Sequence, residues 1–144
     1  MSTTQPRRLV LRNELAELER LGPWIESWAQ DGVSSDTSLA VQLCVEEVVA
    51  NVIMYGAPEG SSLEISVELE RVGGMLLARI EDDGREFDPT QAPPPVMASS
   101  LQEAKPGNFG IHLVRGFANG MDYVRRDGRN QLRLRFIEPP VTSH

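Results

Sequence analysis

Apolar residues in this chain recur with two different periods. Leu63, Ile65, Val67 and Leu69 alternate with polar residues, which predicts a strand with one buried face. Gly73-Gly74 follows as a turn, and residues 75–80 return as the second arm of a hairpin. Residues 121–138 repeat the pattern and turn at Asp127-Gly128, and residues 7–13 read as a further short strand. Elsewhere the spacing is helical. Leu15, Leu18, Leu21, Ile25 and Trp28 mark one helix, with Gly22-Pro23 expected to bend or interrupt it. Trp24 and Trp28, four residues apart, read as core or interface. Residues 34–56 form the strongest helix: Ser34, Ser35 and Asp36 are N-cap candidates, and Gly56 with Pro58 marks its end. Residues 109–120 read as a last helix. The order β-α-α-β-β-loop-α-β-β predicts an α+β fold. It is a two-layer α/β sandwich, with the helices on one face of a mixed, mostly antiparallel sheet.

Between the two hairpins, from about residue 88 to residue 106, periodicity fails. This stretch contains Asp88-Pro89 and the run Pro93-Pro94-Pro95. So long an aperiodic segment inside a compact domain is expected to be functional or mobile. Nothing else suggests a linker or repeat, so the 144 residues are read as one domain.

Composition narrows the function. With 40% hydrophobic and 24% charged residues the chain has the balance of a soluble globular protein. No apolar run is expected to span a bilayer, and the N-terminal residues do not read as a secretory signal. The one cysteine, Cys44, lies inside the strongest helix and is expected in the core. A disulfide framework is excluded, and a reducing cytoplasm fits. A net charge of −7 argues against direct contact with nucleic acid. It leaves room for a small phosphate ligand held by backbone N–H groups and a cation. Lys105 is the single lysine among 14 basic residues.

Three stretches carry candidate chemistry. In "VEEVVANVIMYGAP", Glu47 and Asn51 sit four residues apart, their Cβ atoms about 6 Å from one another on a helix. Their neighbours on that face, Ala40, Leu43, Cys44 and Met54, are apolar or small, so the pair interrupts a face expected to be buried. Gln42 and Glu46 form a separate polar stripe free to face solvent. A carboxylate there requires a partner. Asn supplies a neutral oxygen suited to Mg²⁺, and Glu can accept a proton. An internally satisfied polar pair is the alternative.

In "IEDDGREFDP", a strand runs out into Asp82-Asp83-Gly84. A carboxylate fixed there can accept from an exocyclic amine such as that of adenine, and Gly84 would let a flat ring approach. An ordinary Asp-Gly turn is the other reading. In "KPGNFGIHLV", Gly107 and Gly110 precede a helix whose first N–H groups suit phosphate, or simply ease a tight turn. It is neither a P-loop nor a dinucleotide fingerprint.

Taken in order, these elements resemble the GHKL ATP-binding fold of histidine-kinase catalytic domains, gyrase and MutL. Over about residues 7–137 the chain is similar to the bacterial anti-sigma-factor serine/threonine kinases. The resemblance implies a histidine-kinase-like ATPase fold. It implies Glu47 as general base toward a Ser or Thr hydroxyl, Asn51 as ligand of Mg²⁺, and Asp82 with Gly84 at adenine. It implies residues 88–106 as an ATP lid, and Gly107 and Gly110 near the phosphates. Lys105, by its place in that lid segment, is expected to reach the terminal phosphate, with a solvated loop lysine as the alternative. The implied cofactors are ATP and Mg²⁺. The implied partners are a STAS-type anti-anti-sigma protein and a sigma factor, and the chain itself is expected to dimerise through its first strand and helix. Two positions depart from the pattern: Glu86 and Asn108 stand where the family carries glycine. They keep a second reading open, a non-catalytic nucleotide-binding or degenerate partner-switching module that acts by protein binding alone. A detached ATPase domain of the gyrase or histidine-kinase type is a third.

Overall fold

A computed structural model describes residues 6–30, 32–57, 61–91 and 114–138. Five strands form one sheet in the order β1-β2-β3-β5-β4: β1 Arg7–Arg12, β2 Glu64–Val72, β3 Met75–Asp82, β4 Gly120–Arg126 and β5 Arg129–Ile137. Both expected hairpins are present. Gly73 turns the first at φ 62°, and Asp127 and Gly128 turn the second at φ 52° and 74°. Two consecutive left-handed residues match the right-handed twist of the strands they join.

Among the described strands every pairing is antiparallel, including β1 with β2. Two helices intervene between that pair, and the second brings the chain back to the end of the sheet that β1 left. Asn13 ties this junction. Its side chain donates to the Ser61 carbonyl (2.8 Å) and accepts from the Leu63 N–H (2.9 Å).

The helical layer begins with a 3-10 segment, Leu15–Arg20, that passes into α1, Leu21–Ala29. The interruption expected at Gly22-Pro23 thus falls at a helix start. Pro23 sits in the first turn of α1, where its missing N–H has no carbonyl to lose. α2, Ser35–Tyr55, is capped by Ser34, whose hydroxyl accepts from the Thr37 N–H at 3.2 Å, and it ends at Gly56. Residues 114–117 form a last helical turn before β4.

Strand alternation puts Ile65, Val67, Leu69, Leu76, Ala78, Ile80, Leu132, Leu134 and Phe136 on one face, in mutual register. α1 covers it with Leu21, Ile25 and Trp28, and α2 with Val41, Cys44, Val45, Val48 and Val49. Trp28 is therefore core, with Trp24 packed against it. Cys44 is buried as expected, and burial followed by the nearby Glu47 pushes its thiol up to about 12, so it stays a neutral apolar group.

One expectation is corrected. α2 has an apolar window of mean hydropathy 1.4, so by length and composition it is long and apolar enough to cross a bilayer. Its valine row is buried against the sheet, which makes it the core helix of this layer.

Candidate functional site

The apolar rows of the inner face end in a polar one. Leu11, Ile65, Asp82, Asn130 and Arg125 are consecutive cross-strand partners from β1 to β4. Asp82 is in phase with Leu76, Ala78 and Ile80, so it points toward the helices, and it is only 4% exposed; Asn130 is 6% exposed. One carboxylate oxygen, Oδ1, accepts from the Gly84 N–H and from Asn130 Nδ2, both at 2.9 Å. Among the described residues no bond falls on the other oxygen, Oδ2. Asn130 spends its second Nδ2 hydrogen on the Arg85 carbonyl (2.8 Å). Its Oδ1 accepts from Tyr123 Oη, from Arg125 Nη1 (3.1 Å) and from the Phe87 N–H (3.3 Å). Arg125 Nη1 also holds the Gly84 carbonyl at 2.8 Å.

Electrostatics follow from this packing. Burial raises Asp82 above the ordinary carboxylate value, opposed by the bonds from Asn130 and Gly84 and by the charge of Arg125. The Tyr123 phenol is likewise raised, by burial and then by Glu86, so it remains a donor. The arrangement offers one unshared carboxylate oxygen, fixed in direction, at the end of an apolar layer. An N–H donor on a flat apolar ring is what such a group accepts.

α2 closes on this end of the sheet. The Gly56 carbonyl accepts from the Arg85 N–H at 2.8 Å. A Cβ on Gly84 would stand 2.6 Å from that same oxygen, so glycine is required there for α2 to approach. The direction that Gly84 was expected to leave open to a ring is taken by Gly56.

About one turn back from that end lies Asn51, 8% exposed, with an amide nitrogen that finds no partner among the described residues. A buried donor without an acceptor is costly, and this one is on the helix whose end at Gly56 meets Gly84 and Arg85. Glu47 is half-buried one turn earlier, and among the described residues no hydrogen bond or ion pair engages its carboxylate. The face around the pair differs from expectation. Leu43 is 38% and Met54 39% exposed, because the arc of α2 pressed on the sheet is the one carrying Val41, Val45 and Val48. Gln42 and Glu46 do not simply face solvent either. They bond to each other at 3.2 Å, and Gln42 packs against Gly22 of α1.

Beyond Gly84, Asp88 accepts from the Thr90 N–H (2.9 Å) and opens a 3-10 turn at Pro89–Gln91. Arg115 donates to the carbonyls of Pro89 (3.1 Å) and Thr90 (2.6 Å). It thereby pins together the two ends of the segment between them. Glu86 is exposed. Lys105, Gly107, Asn108, Gly110 and most of the expected lid lie outside the described residues, as does the mobility expected of it.

A depression of about 90 Å³ lies on the opposite face of the sheet, lined by Glu68, Glu70, Leu77, Arg79, Asp122, Arg133 and Arg135. It is far smaller than the several hundred Å³ usual for a ligand pocket. Its walls are paired surface charges, Arg79 with Glu68 at 3.0 Å and Arg135 with Asp122 at 3.3 Å.

Sequence reasoning singled out Asp82 but not Asn130, Tyr123 or Arg125. A signal existed. Asn130 is in phase with Leu132, Leu134 and Phe136, so a polar residue stands where the strand is otherwise apolar. That is the anomaly that exposed Glu47 and Asn51 on α2.

The chain matches the histidine kinase-like ATPase domain over residues 11–136. It belongs to that family. Across 112 residues it is 35% identical to the serine/threonine-protein kinase BtrW of Bordetella bronchiseptica (strain ATCC BAA-588 / NCTC 13252 / RB50), covering 77% of this chain and 79% of the relative. Among solved structures it is similar to that of the RsbU and RsbW domains of Rv1364c from Mycobacterium tuberculosis. The TM-score there is 0.65 at 14% identity, over 95% of this chain and 34% of that one. The histidine kinase domain of the Erythrobacter litoralis EL346 blue-light activated kinase follows at TM-score 0.53 and 19% identity, covering 85% and 60%. This chain thus spans about a third of the mycobacterial protein, and likenesses at these identities show the fold alone. They agree with the α+β architecture read from the order of the elements.

Proposed function

We propose that this histidine kinase-like ATPase domain is an ATP-dependent serine/threonine protein kinase and anti-sigma factor. In this reading it phosphorylates a STAS-type anti-anti-sigma protein and sequesters a sigma factor in the cytoplasm. The observation that carries the reading is the Asp82 carboxylate, buried, half-committed, and beside the end of the helix that bears Glu47 and Asn51. The likeness to a named serine/threonine kinase at 35% identity supports the choice of reaction.

Asp82 would take the adenine amino group on Oδ2. The bond between the β–γ bridging oxygen and the γ-phosphorus breaks, a new bond forms from the partner's Ser or Thr oxygen to that phosphorus, and ADP leaves. Glu47, with no competing partner among the described residues, would receive the hydroxyl proton. Asn51 fits a cation site through its oxygen, a neutral hard donor of the kind Mg²⁺ takes, while its nitrogen, unsatisfied among the described residues, would be left to donate to a phosphate oxygen. Mg²⁺ would supply neutralisation of phosphate charge. Gly107 and Gly110 are assigned to the phosphates on the resemblance, and Lys105 on its place in the lid segment.

A purely binding switch is the second reading, favoured by the exposed Glu86 carboxylate near Tyr123. The experiment that separates them is calorimetric titration with Mg·ATP followed by incubation with labelled ATP and STAS proteins encoded nearby. The kinase reading expects binding, and transfer that disappears in Glu47→Ala. Binding without transfer to any partner would favour the switch, and absence of binding would remove the nucleotide role.

A further inference from the structure

We infer that Asn130 is a positioning residue that makes the site select a 6-amino purine over a 6-oxo purine, with Tyr123 and Arg125 holding its amide in place. This rests on the nucleotide reading above and adds to it how Asp82 is kept selective.

The two ends of the Asn130 amide face groups of opposite polarity. Its nitrogen faces two acceptors, Asp82 Oδ1 at 2.9 Å and the Arg85 carbonyl at 2.8 Å. Its oxygen faces three donors: Tyr123 Oη, Arg125 Nη1 and the Phe87 N–H. Turning the amide over would set donor against donor or acceptor against acceptor at four of the five contacts; only the Tyr123 hydroxyl could accept instead of donating. The orientation is therefore fixed by elements from both sides, β4 and the turn after β3.

A fixed amide has a consequence for Asp82. Its Oδ1 is saturated by Asn130 and by the Gly84 N–H, so only Oδ2 remains for a ligand. The guanidinium of Arg125 stands one amide away and also grips the Gly84 carbonyl at 2.8 Å, which favours the ionised carboxylate and holds the turn. An ionised carboxylate is an acceptor only. It accepts from the 6-amino group of adenine and repels the 6-oxo group of hypoxanthine or guanine. Without the donor from Asn130, the carboxylate is free to rotate and to hold a proton in this buried setting. A protonated Asp82 donates, and a 6-oxo group then becomes acceptable.

The test is the ratio of affinities for Mg·ATP and Mg·ITP, measured by calorimetry on the full chain. Wild type is expected to prefer ATP. Asn130→Asp keeps the size of the side chain but replaces the donor with a second carboxylate, and it is expected to cut the preference about tenfold to a hundredfold. Tyr123→Phe removes one of three donors to Asn130 and leaves its ring in place; a cut of about fivefold is expected. Should Asn130→Asp fail to fold, Tyr123→Phe reads the same ratio. A residue that merely braces the fold would weaken both nucleotides alike, so an unchanged ratio in the folded variants overturns the inference. Wild type binding ATP and ITP equally would also overturn it while leaving the nucleotide reading intact. Wild type binding neither would remove both.

Discussion

The inner face of the sheet has two regions built on the same strands with opposite logic. In its middle, Leu69, Ala78 and Leu134 are cross-strand partners, and α1 and α2 cover them. At one end, two same-face rows further on, Asp82, Asn130 and Arg125 occupy the equivalent positions of a single row. The middle is held by apolar burial, which has no direction and tolerates any shape that fills the volume. The end is held by hydrogen bonds whose donors and acceptors cannot be exchanged. The first region sets whether the chain folds; in the proposed reading, the second sets what the folded chain can hold.

Substitutions should separate these roles. In the middle, Phe136→Ala is expected to cost about 3–5 kcal/mol of stability, read by denaturant unfolding. The part of the chain that survives folded should retain nucleotide affinity. At the end, Asp82→Asn is expected to weaken Mg·ATP by about a hundredfold in calorimetry. The new amide can still accept from Gly84 and Asn130, but it turns an NH₂ group toward the ligand. Its melting temperature should match or exceed wild type. Burial raises the folded value of Asp82 above its ordinary 3.8, so its stabilising contribution is that of the neutral acid. That contribution is complete below about 3.8 and is lost as pH rises through the raised folded value, so the ionised group costs stability at neutral pH. The same sign predicts that ATP affinity falls about tenfold per pH unit once pH drops below that raised value, and that Asp82→Asn abolishes this dependence.

A smaller effect is expected at Asn51. Asn51→Leu removes a buried nitrogen that has no partner among the described residues, and should gain about 1 kcal/mol in stability while losing phosphoryl transfer. The smallest effect belongs to the outer face. Glu68→Ala breaks the pair with Arg79, and because both side chains are partly solvated the loss should stay under about 1 kcal/mol with no change in binding.

Local pattern carried much of this in advance. The alternation of Ile65, Val67 and Leu69, the glycine turns, and the Ser34 cap of α2 each depend on neighbours a few residues away, and each is found where it was expected. Glu47 and Asn51 were legible because they interrupt an apolar helix face, and Asp82 because it stands where a strand runs out into Asp-Asp-Gly. Convergence was less legible. That Asn130 meets Asp82 depends on the register of β3 against β5, a pairing across 48 residues that neither strand encodes by itself. The contact of Gly84 with Gly56 depends on where a whole helix ends against a strand. The exposure of Leu43 and Met54 depends on which arc of α2 the sheet takes, and an apolar helix offers several.

In the proposed reading the polar row formed by the end of β3 and the start of β5 receives the purine. Mg·ATP added to ¹⁵N-labelled protein tests it by NMR. The Gly84 backbone amide and the Asn130 side-chain amide are expected to shift together and saturate with the calorimetric affinity, while the amides of β1 stay still. Saturable ATP binding that leaves both signals unmoved would place the nucleotide elsewhere and contradict the account.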